Sequence, residues 1–285
     1  TIMDRLAEAL KMDPVEFRVR NANVPNSETP QGLIITSCGM KECLEAVAAT
    51  ADQGVELKAP VPVSNTSMSL NHPLPEKESP HLKRGIGFAA TLNVGGGARI
   101  YRSDGCGATV KVDDFGHVTL VTGSTEIGQG SETVLAQIVA QTLGAKMEDI
   151  TVLNSDTDIK PWDVGVHASR TTFIAGNAAH LAALDARNQI FETAAELLKT
   201  KPEELQSNNG NVTVKDDPSR SVTIAQAARS RHFREGGKVV LGEGWYDPPT
   251  KLVDKDTYKG NISAAYGFGA QMAEVEVDTE TGKVR

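Results

Sequence analysis

The chain has 285 residues, 39% hydrophobic and 23% charged, with a formal net charge of −8 at pH 7. That balance supplies a substantial core for one large or two small domains. The acidity argues against nucleic acid or an anionic membrane surface as a partner, and no apolar run approaches the roughly 20 residues of a membrane-spanning helix.

Cys38, Cys43 and Cys106 form no CxxC pair and no disulfide framework, a usage that fits the reducing cytoplasm. Iron–sulfur or structural zinc sites built from this chain alone are not expected. The first residues, Thr1-Ile2-Met3-Asp4-Arg5, are charged and helical and make no signal peptide. A first residue other than Met inside a helical pattern, and a last stretch that stops just past a hairpin turn, read as the ends of a fragment.

In chain order, residues 1–10 form an amphipathic helix with Ile2, Met3, Leu6 and Leu10 on one face. Asp13-Pro14 is an N-cap followed by proline at the first helical position, starting a short helix to about Asn21. Leu33-Ile34-Ile35 is a short strand, and Cys43, Leu44 and Val47 mark a third helix from Met40 to about Thr50. Prolines 60, 62, 73, 75 and 80 then make residues 53–82 a connector. His72 and His81 fall there and read as solvent-exposed loop residues. Residues 86–91 and 107–112 are strands, Gly95-Gly96-Gly97 is a flexible turn, and residues 113–116 turn the chain into a further strand, 116–122.

The chain is organised around Gly123-Ser124-Thr125-Glu126-Ile127-Gly128-Gln129-Gly130-Ser131, which joins that strand to a helix over residues 134–144. A strand, a glycine-punctuated turn and a helix start collect unpaired N–H groups and partial positive charge, which suits an anion. Glycines let backbone approach a ligand closely. The Gln129 amide carries a donor and an acceptor without charge and suits a hydrogen-bonding heterocycle or phosphate ester. The same pattern also fits an ordinary tight turn capped by Ser131 or Thr133.

Residues 149–154 form the next strand. The loop Pro161-Trp162-Asp163-Val164-Gly165-Val166-His167-Ala168-Ser169-Arg170-Thr171-Thr172 then leads into a long helix to about Leu198, a second helix start rich in hydroxyls. Two such starts invite one extended phosphate-bearing ligand. His167 is a candidate acid or base or, more simply, a plain hydrogen-bonding loop residue. Asp156 and Asp158 are a candidate cation pair or, more simply, turn caps. Residues 202–246 read as a supporting unit. It has a helical turn at 202–205, a turn at 208–211, a strand at 212–214, a short helix at 222–229 and a strand at 239–246. The strand 266–278 and a hairpin loop at 278–282 follow.

Thr125-Glu126-Ile127-Gly128-Gln129-Gly130, followed by an Ala-Gln-Ile-Val helix, resembles the pterin-binding segment of the xanthine oxidase family of molybdenum hydroxylases. Residues 162–177 resemble that family's next cofactor loop, and residues 266–282 its later sheet. The variant Trp162-Asp163-Val164-Gly165-Val166-His167-Ala168-Ser169-Arg170 is most similar to large subunits of 4-hydroxybenzoyl-CoA reductase. The resemblance implies an α+β fold of mixed β-sheets with packed helices. Residues 1–52 would be the helical end of a preceding cofactor-binding region, 53–82 a connector, and 83–285 a C-terminally incomplete molybdopterin-binding domain.

It also implies that Ile127, Gly128, Gln129 and Gly130 contact the cofactor, with Ala168, His167, Ser169 and Thr171 close to molybdenum and pterin. The implied cofactor is molybdopterin cytosine dinucleotide with molybdenum. The implied partners are the rest of the large subunit, iron–sulfur and FAD subunits or domains, and a small-molecule substrate, in a homodimer of heterotrimers. The family's phenylalanine–glycine motif would precede Thr1 and its catalytic glutamate would follow Arg285, so this chain alone is expected to be inactive. In the family the metal centre hydroxylates an electrophilic carbon with oxygen from water. In the benzoyl-CoA branch it removes a phenolic hydroxyl reductively. A non-catalytic phosphate- or nucleotide-binding module, and a structural subunit of a split enzyme, are the other two readings.

Overall fold

The computed structural model describes residues 2–52, 80–96, 99 and 101–285. The elements in chain order are α1 (Ile2–Ala9), α2 (Pro14–Arg20), β1 (Ser27–Glu28), β2 (Ile34–Ile35), α3 (Met40–Asp52) and β3 (Leu82–Gly95). They continue with β4 (Cys106–Val112), β5 (Val118–Thr122), α4 (Ser131–Leu143), β6 (Ile150–Leu153) and α5 (Gly176–Leu198). Then come β7 (Leu205–Asn208), β8 (Asn211–Val214), β9 (Asp217–Thr223), α6 (Ile224–Phe233), β10 (Val240–Tyr246) and β11 (Ala265–Asp278). The architecture is α+β, with mixed sheets and packed helices. Of the expected connector, only Pro80, His81 and Leu82 lie among the described residues; His72 and Gly97 lie outside them.

The chain forms two compact units, Thr1–Ser27 with Ile35–Asn93 and Gly267–Arg285, and Glu28–Ile34 with Val94–Tyr266. In the first, Asp13 caps α2: its Oδ1 accepts from the N–H groups of Val15 (2.8 Å) and Glu16 (2.9 Å). Arg18 is buried and pairs with Asp4 at 2.8 Å. The amphipathic reading of α1 predicts a buried stripe, but Ile2, Leu6 and Leu10 are exposed and only Ala7 is buried. His81 is engaged rather than free: its Nδ1 lies 3.0 Å from a Glu280 carboxylate oxygen, and its carbonyl accepts from the Thr279 N–H.

The second unit is built on a four-stranded sheet of order β10-β4-β5-β6. β10, β4 and β5 are antiparallel neighbours, whereas β5 and β6 are parallel and joined through α4. A parallel pair needs such a crossover, which a helix supplies. The core lies between this sheet and α4 and α5, where Val110, Val112, Val118, Leu120, Leu135, Val139, Leu143, Ile174 and Ile190 are fully buried. Each such side chain contributes about 1.5–3 kcal/mol on leaving water.

An alanine stripe on α5 (Ala178, Ala179, Ala182, Ala183, Ala186) faces Gly242 and Gly244 of β10. A Cβ at Gly242 would stand 2.1 Å from the Ala182 carbonyl oxygen, and one at Gly244 2.1 Å from that of Ala178. Helix backbone therefore rests directly on strand backbone.

A separate three-stranded sheet, β7-β8-β9, departs from the sequence reading. Asn209 (φ +48°) and Gly210 (φ +79°) make the two-residue hairpin turn that the asparagine–glycine signal predicts. The helical turn read at 202–205 is present as a single 3-10 turn, Pro202–Glu204, and β7 and β9 are additional strands. β9 is almost wholly exposed and carries Pro218, tolerable because it is the sheet edge.

Candidate functional site

The strand–turn–helix expected around Gln129 is present: β5 ends at Thr122, residues 123–130 turn, and α4 starts at Ser131. Gly128 (φ +97°) and Gly130 (φ +78°) adopt left-handed backbone that disfavours other residues, and neither would meet a neighbour through a Cβ. Space above the turn is therefore open. Ile127 is 69% exposed, and Gln129 is exposed as well.

Four donors at this helix start are nevertheless spoken for. Glu126 Oε1 accepts from the N–H groups of Gly128 (2.6 Å) and Gly130 (3.0 Å). Its Oε2 accepts from the Ser131 hydroxyl (2.9 Å) and the Glu132 N–H (3.3 Å). Three of the N–H groups expected to be free, with the Ser131 hydroxyl, are thus taken by the chain's own carboxylate, and the cap is Glu126 rather than Ser131 or Thr133. The Gln129 amide closes on the same turn, accepting from the Ile127 N–H (2.6 Å) and donating to the Thr125 carbonyl (3.0 Å).

Hydrogen bonds to the ionised form, that from the Gly130 N–H foremost, hold the Glu126 carboxyl at about 2, below the ordinary 4.5. A folded-state value below the unfolded one stabilises the fold above pH 4.5, and that stabilisation drains away as the pH falls towards 2. Unfolding measured across that interval is expected to show a shallower acid limb in Glu126→Gln than in the wild type. Identical limbs would mean that the carboxylate is not held this way.

The second loop lies against the root of the first. A Cβ at Gly123 would stand 2.7 Å from the carbonyl oxygens of both Pro161 and Trp162, so only glycine permits this approach. The Gly107 N–H donates to the Trp162 carbonyl (2.9 Å), the Gly123 N–H to the Gly107 carbonyl (3.0 Å), and Lys160 Nζ to the Gly123 carbonyl (2.9 Å). A third glycine segment joins them. The Gly96 N–H donates to the Ser169 carbonyl (3.3 Å), and a Cβ on Gly96 would strike the Phe173 ring at 2.4 Å. The two expected loops, together with the glycine turn at the end of β3, are therefore brought together at one end of the sheet.

Within the second loop Gly165 (φ +121°), Ala168 (φ +48°) and Ser169 (φ +53°) all have positive φ. Consecutive non-glycine residues in this region carry strain of order 1–3 kcal/mol each, held by the surrounding structure. Thr171–Ala175 then form one π-helical turn before α5, with no side chain capping it. Such turns recur at functional sites. Thr171 is buried and Ser169 exposed. His167 Nε2 is buried with no hydrogen-bond partner, so the plain hydrogen-bonding reading of this residue is not met at that atom.

What holds the strained loop is Arg170, the largest fully buried side chain. Its Nη1 donates to both Asp163 oxygens (2.9 and 2.7 Å) and to the Gly165 carbonyl (3.0 Å). Its Nη2 donates to the carbonyls of Asp104 (2.7 Å) and Gly105 (3.1 Å), and Nε lies 3.4 Å from Asp104 Oδ1. Burial raises the Asp104 carboxyl above the ordinary carboxylate range, against the pull of Arg170 and His167. Burial and the Asp163 carboxylate also push the Cys106 thiol far up, which makes it an inert core group.

Sequence reasoning did not single out Arg170, Asp163, Asp104 or Glu126. The available signals were an arginine inside a run of small residues with an aspartate seven positions earlier, and a carboxylate just ahead of the Gly-Gln-Gly turn. Asp156 caps its own turn through the Asp158 N–H (3.0 Å). Among the described residues no cluster of three or more metal-ligating side chains occurs, and no helix is long and apolar enough to cross a membrane.

Residues 69–285 match the family described as Molybdopterin cofactor-binding domain. The chain is 32% identical over 224 residues to the xanthine dehydrogenase molybdenum-binding subunit of Escherichia coli O157:H7, covering 76% of this chain and 27% of that protein. It is 32% identical over 208 residues to the 6-hydroxypseudooxynicotine dehydrogenase complex subunit gamma of Paenarthrobacter nicotinovorans, covering 70% of this chain and 23% of that one. The fold is similar to that of quinoline 2-oxidoreductase from Pseudomonas putida 86, with a TM-score of 0.76 at 24% identity over 99% of this chain and 34% of that chain. The chain thus spans a quarter to a third of the relatives it matches. On the match over residues 69–285, the chain belongs to the molybdopterin cofactor-binding domain family.

Proposed function

We propose that the chain is the central part of the molybdopterin-binding subunit of a molybdenum hydroxylase-type oxidoreductase that acts on an aromatic, heterocyclic or aldehyde substrate. Reductive dehydroxylation of 4-hydroxybenzoyl-CoA is the finer candidate, supported by the wording of residues 162–170. The observation that carries the proposal is the convergence of the two glycine-bearing loops, stitched at Gly123, Gly107 and Trp162. Open space at Gly128, Gly130 and Gly165, and a buried, unpartnered His167 Nε2, fit a polar heterocyclic cofactor at this end of the sheet.

Ile127, Gly128, Gln129 and Gly130 would hold the group from one side. His167, Ala168, Ser169 and Thr171 would hold it from the other, with Thr171 contributing through its backbone because its side chain is buried. When bound, the molybdenum–pterin group supplies two-electron redox chemistry. This chain's own residues bind and orient: the Gln129 amide exchanges its bonds to Ile127 and Thr125 for bonds to the ligand, and the Arg170 cluster keeps residues 163–171 in shape. We assign the cofactor as the cytosine dinucleotide form. Iron–sulfur and FAD subunits and a second heterotrimer are the partners, in the cytoplasm. Relatives that are themselves named as subunits support this assembly. A bare phosphate-binding module is disfavoured, since Glu126 already occupies the amides such a module would use.

The test is elemental analysis and nucleotide release on the full-length protein. Stoichiometric molybdenum with CMP is expected, both strongly reduced in Gln129→Ala. Molybdenum-free protein from a host that loads other molybdoenzymes would sink the proposal.

A further inference from the structure

We propose that Glu126 is an internal anion of the cofactor loop: it fills the amide nest at the start of α4, keeps phosphate groups out of it, and positions the turn that carries Gln129. The role in cofactor binding rests on the reading above; the nest itself rests on geometry alone.

Two left-handed glycines at a helix start build a concavity that ordinarily receives a phosphate. Here four donors converge on one side chain, two on each carboxylate oxygen. A phosphate arriving at this point finds no free donor among these four and meets a carboxylate of its own sign. The part of a ligand that this loop accepts is therefore uncharged. The glycine pattern, which by itself suggests a phosphate site, instead serves to wrap backbone around an acid of the same turn.

The second half of the argument concerns Gln129. Its amide spans the turn from the Ile127 N–H to the Thr125 carbonyl, while Glu126 pins the N–H groups on either side of it at Gly128 and Gly130. With those two glycines held, the backbone at Gln129 has one course, and the amide swings between the turn and a ligand by side-chain rotation alone. Without Glu126 the two glycines regain their wide conformational range, and Gln129 loses its fixed starting point. Glu126 touches neither ligand nor metal in this scheme; it is a positioning residue.

The experiment uses full-length protein carrying Glu126→Ala, and in parallel the near-isosteric Glu126→Gln, which guards against a variant that fails to fold. In cofactor-free protein from a molybdopterin-deficient host, inorganic phosphate is expected to raise the thermal midpoint of Glu126→Ala beyond any effect on wild type. Sodium chloride at matched ionic strength should not do so. In protein from a competent host, both variants are expected to retain molybdenum about 10–100-fold less tightly than wild type, the usual cost of losing an outer supporting contact.

An equal phosphate response in wild type and Glu126→Ala would overturn the internal anion. Unchanged molybdenum retention in both variants would overturn the positioning role. If the wild type itself carries no molybdenum, the cofactor reading and the positioning role that rests on it fail, and the phosphate comparison still decides the nest.

Discussion

Replacing Arg170 by methionine is expected to destabilise the folded chain by about 3–5 kcal/mol, the cost of breaking a buried ion pair by removing one partner. The guanidinium is 1% exposed and serves Asp163, Asp104 and three carbonyls, so its removal strands two carboxylates and three acceptors away from water. The desolvation cost outweighs anything the methionine regains, because its side chain matches the volume but none of the hydrogen-bonding partners. The loss should be larger at neutral pH than under mildly acidic conditions, where Asp104, its carboxyl already raised by burial, escapes by taking up a proton. Arg170→Lys is expected to recover only part of the loss, since an ammonium cannot reproduce the planar fork. Denaturant unfolding at two pH values tests this, and a methionine variant within the scatter of ordinary surface substitutions would refute it. In full-length protein the same variant should also lose cofactor, because Gly165, Ala168 and Ser169 would no longer be held at positive φ.

The second large effect is steric. Gly242→Ala places a methyl group 2.1 Å from the Ala182 carbonyl oxygen and 2.5 Å from the Ala186 nitrogen. Both are helix backbone, which cannot rotate away as a side chain would, so α5 must lift from β10. Overpacking of this kind costs about 1–3 kcal/mol, occasionally more. Here the upper end is expected, because α5 covers both β10 and β4 and its displacement opens the core at several positions. Gly87→Ala is the control. Its Cβ would meet nothing within 4 Å and its φ is not left-handed, so no comparable loss is expected. Thermal unfolding of the two variants side by side distinguishes a close-approach requirement from a general intolerance of alanine for glycine in strands.

These effects mark the border between what was legible in the residues and what was not. The alternating run of β5, the glycine turn and the helical run of α4 are written in local periodicity, and so they could be read directly. The Asn209-Gly210 hairpin and the Asp13 cap are equally local, each a matter of a few backbone groups and one side chain. The resemblance of the two loops to cofactor-binding segments also lay in the sequence, in the order and wording of residues 125–130 and 162–177.

Other features depend on partners far apart in the chain. The exposed β9 carries no apolar alternation, so only its pairing with β8 reveals it. The stripe of α1 looks like a core face, yet Ile2, Leu6 and Leu10 stay exposed. An arginine is mostly a surface residue, and nothing in the run Ala168-Ser169-Arg170-Thr171 says that this one is sealed between Asp163 and Asp104. The alanines of α5 gain their meaning only against Gly242 and Gly244. Glu126 is a different case, since its four donors all lie within six residues of it. Sequence pattern placed an anion at the start of α4, and the folded turn supplied that anion from within the chain itself. Local pattern determines which backbone groups need a partner; the folded structure decides which side chain arrives, because that depends on the course of the turn, as for Glu126, or on where separate loops meet in space, as for Arg170.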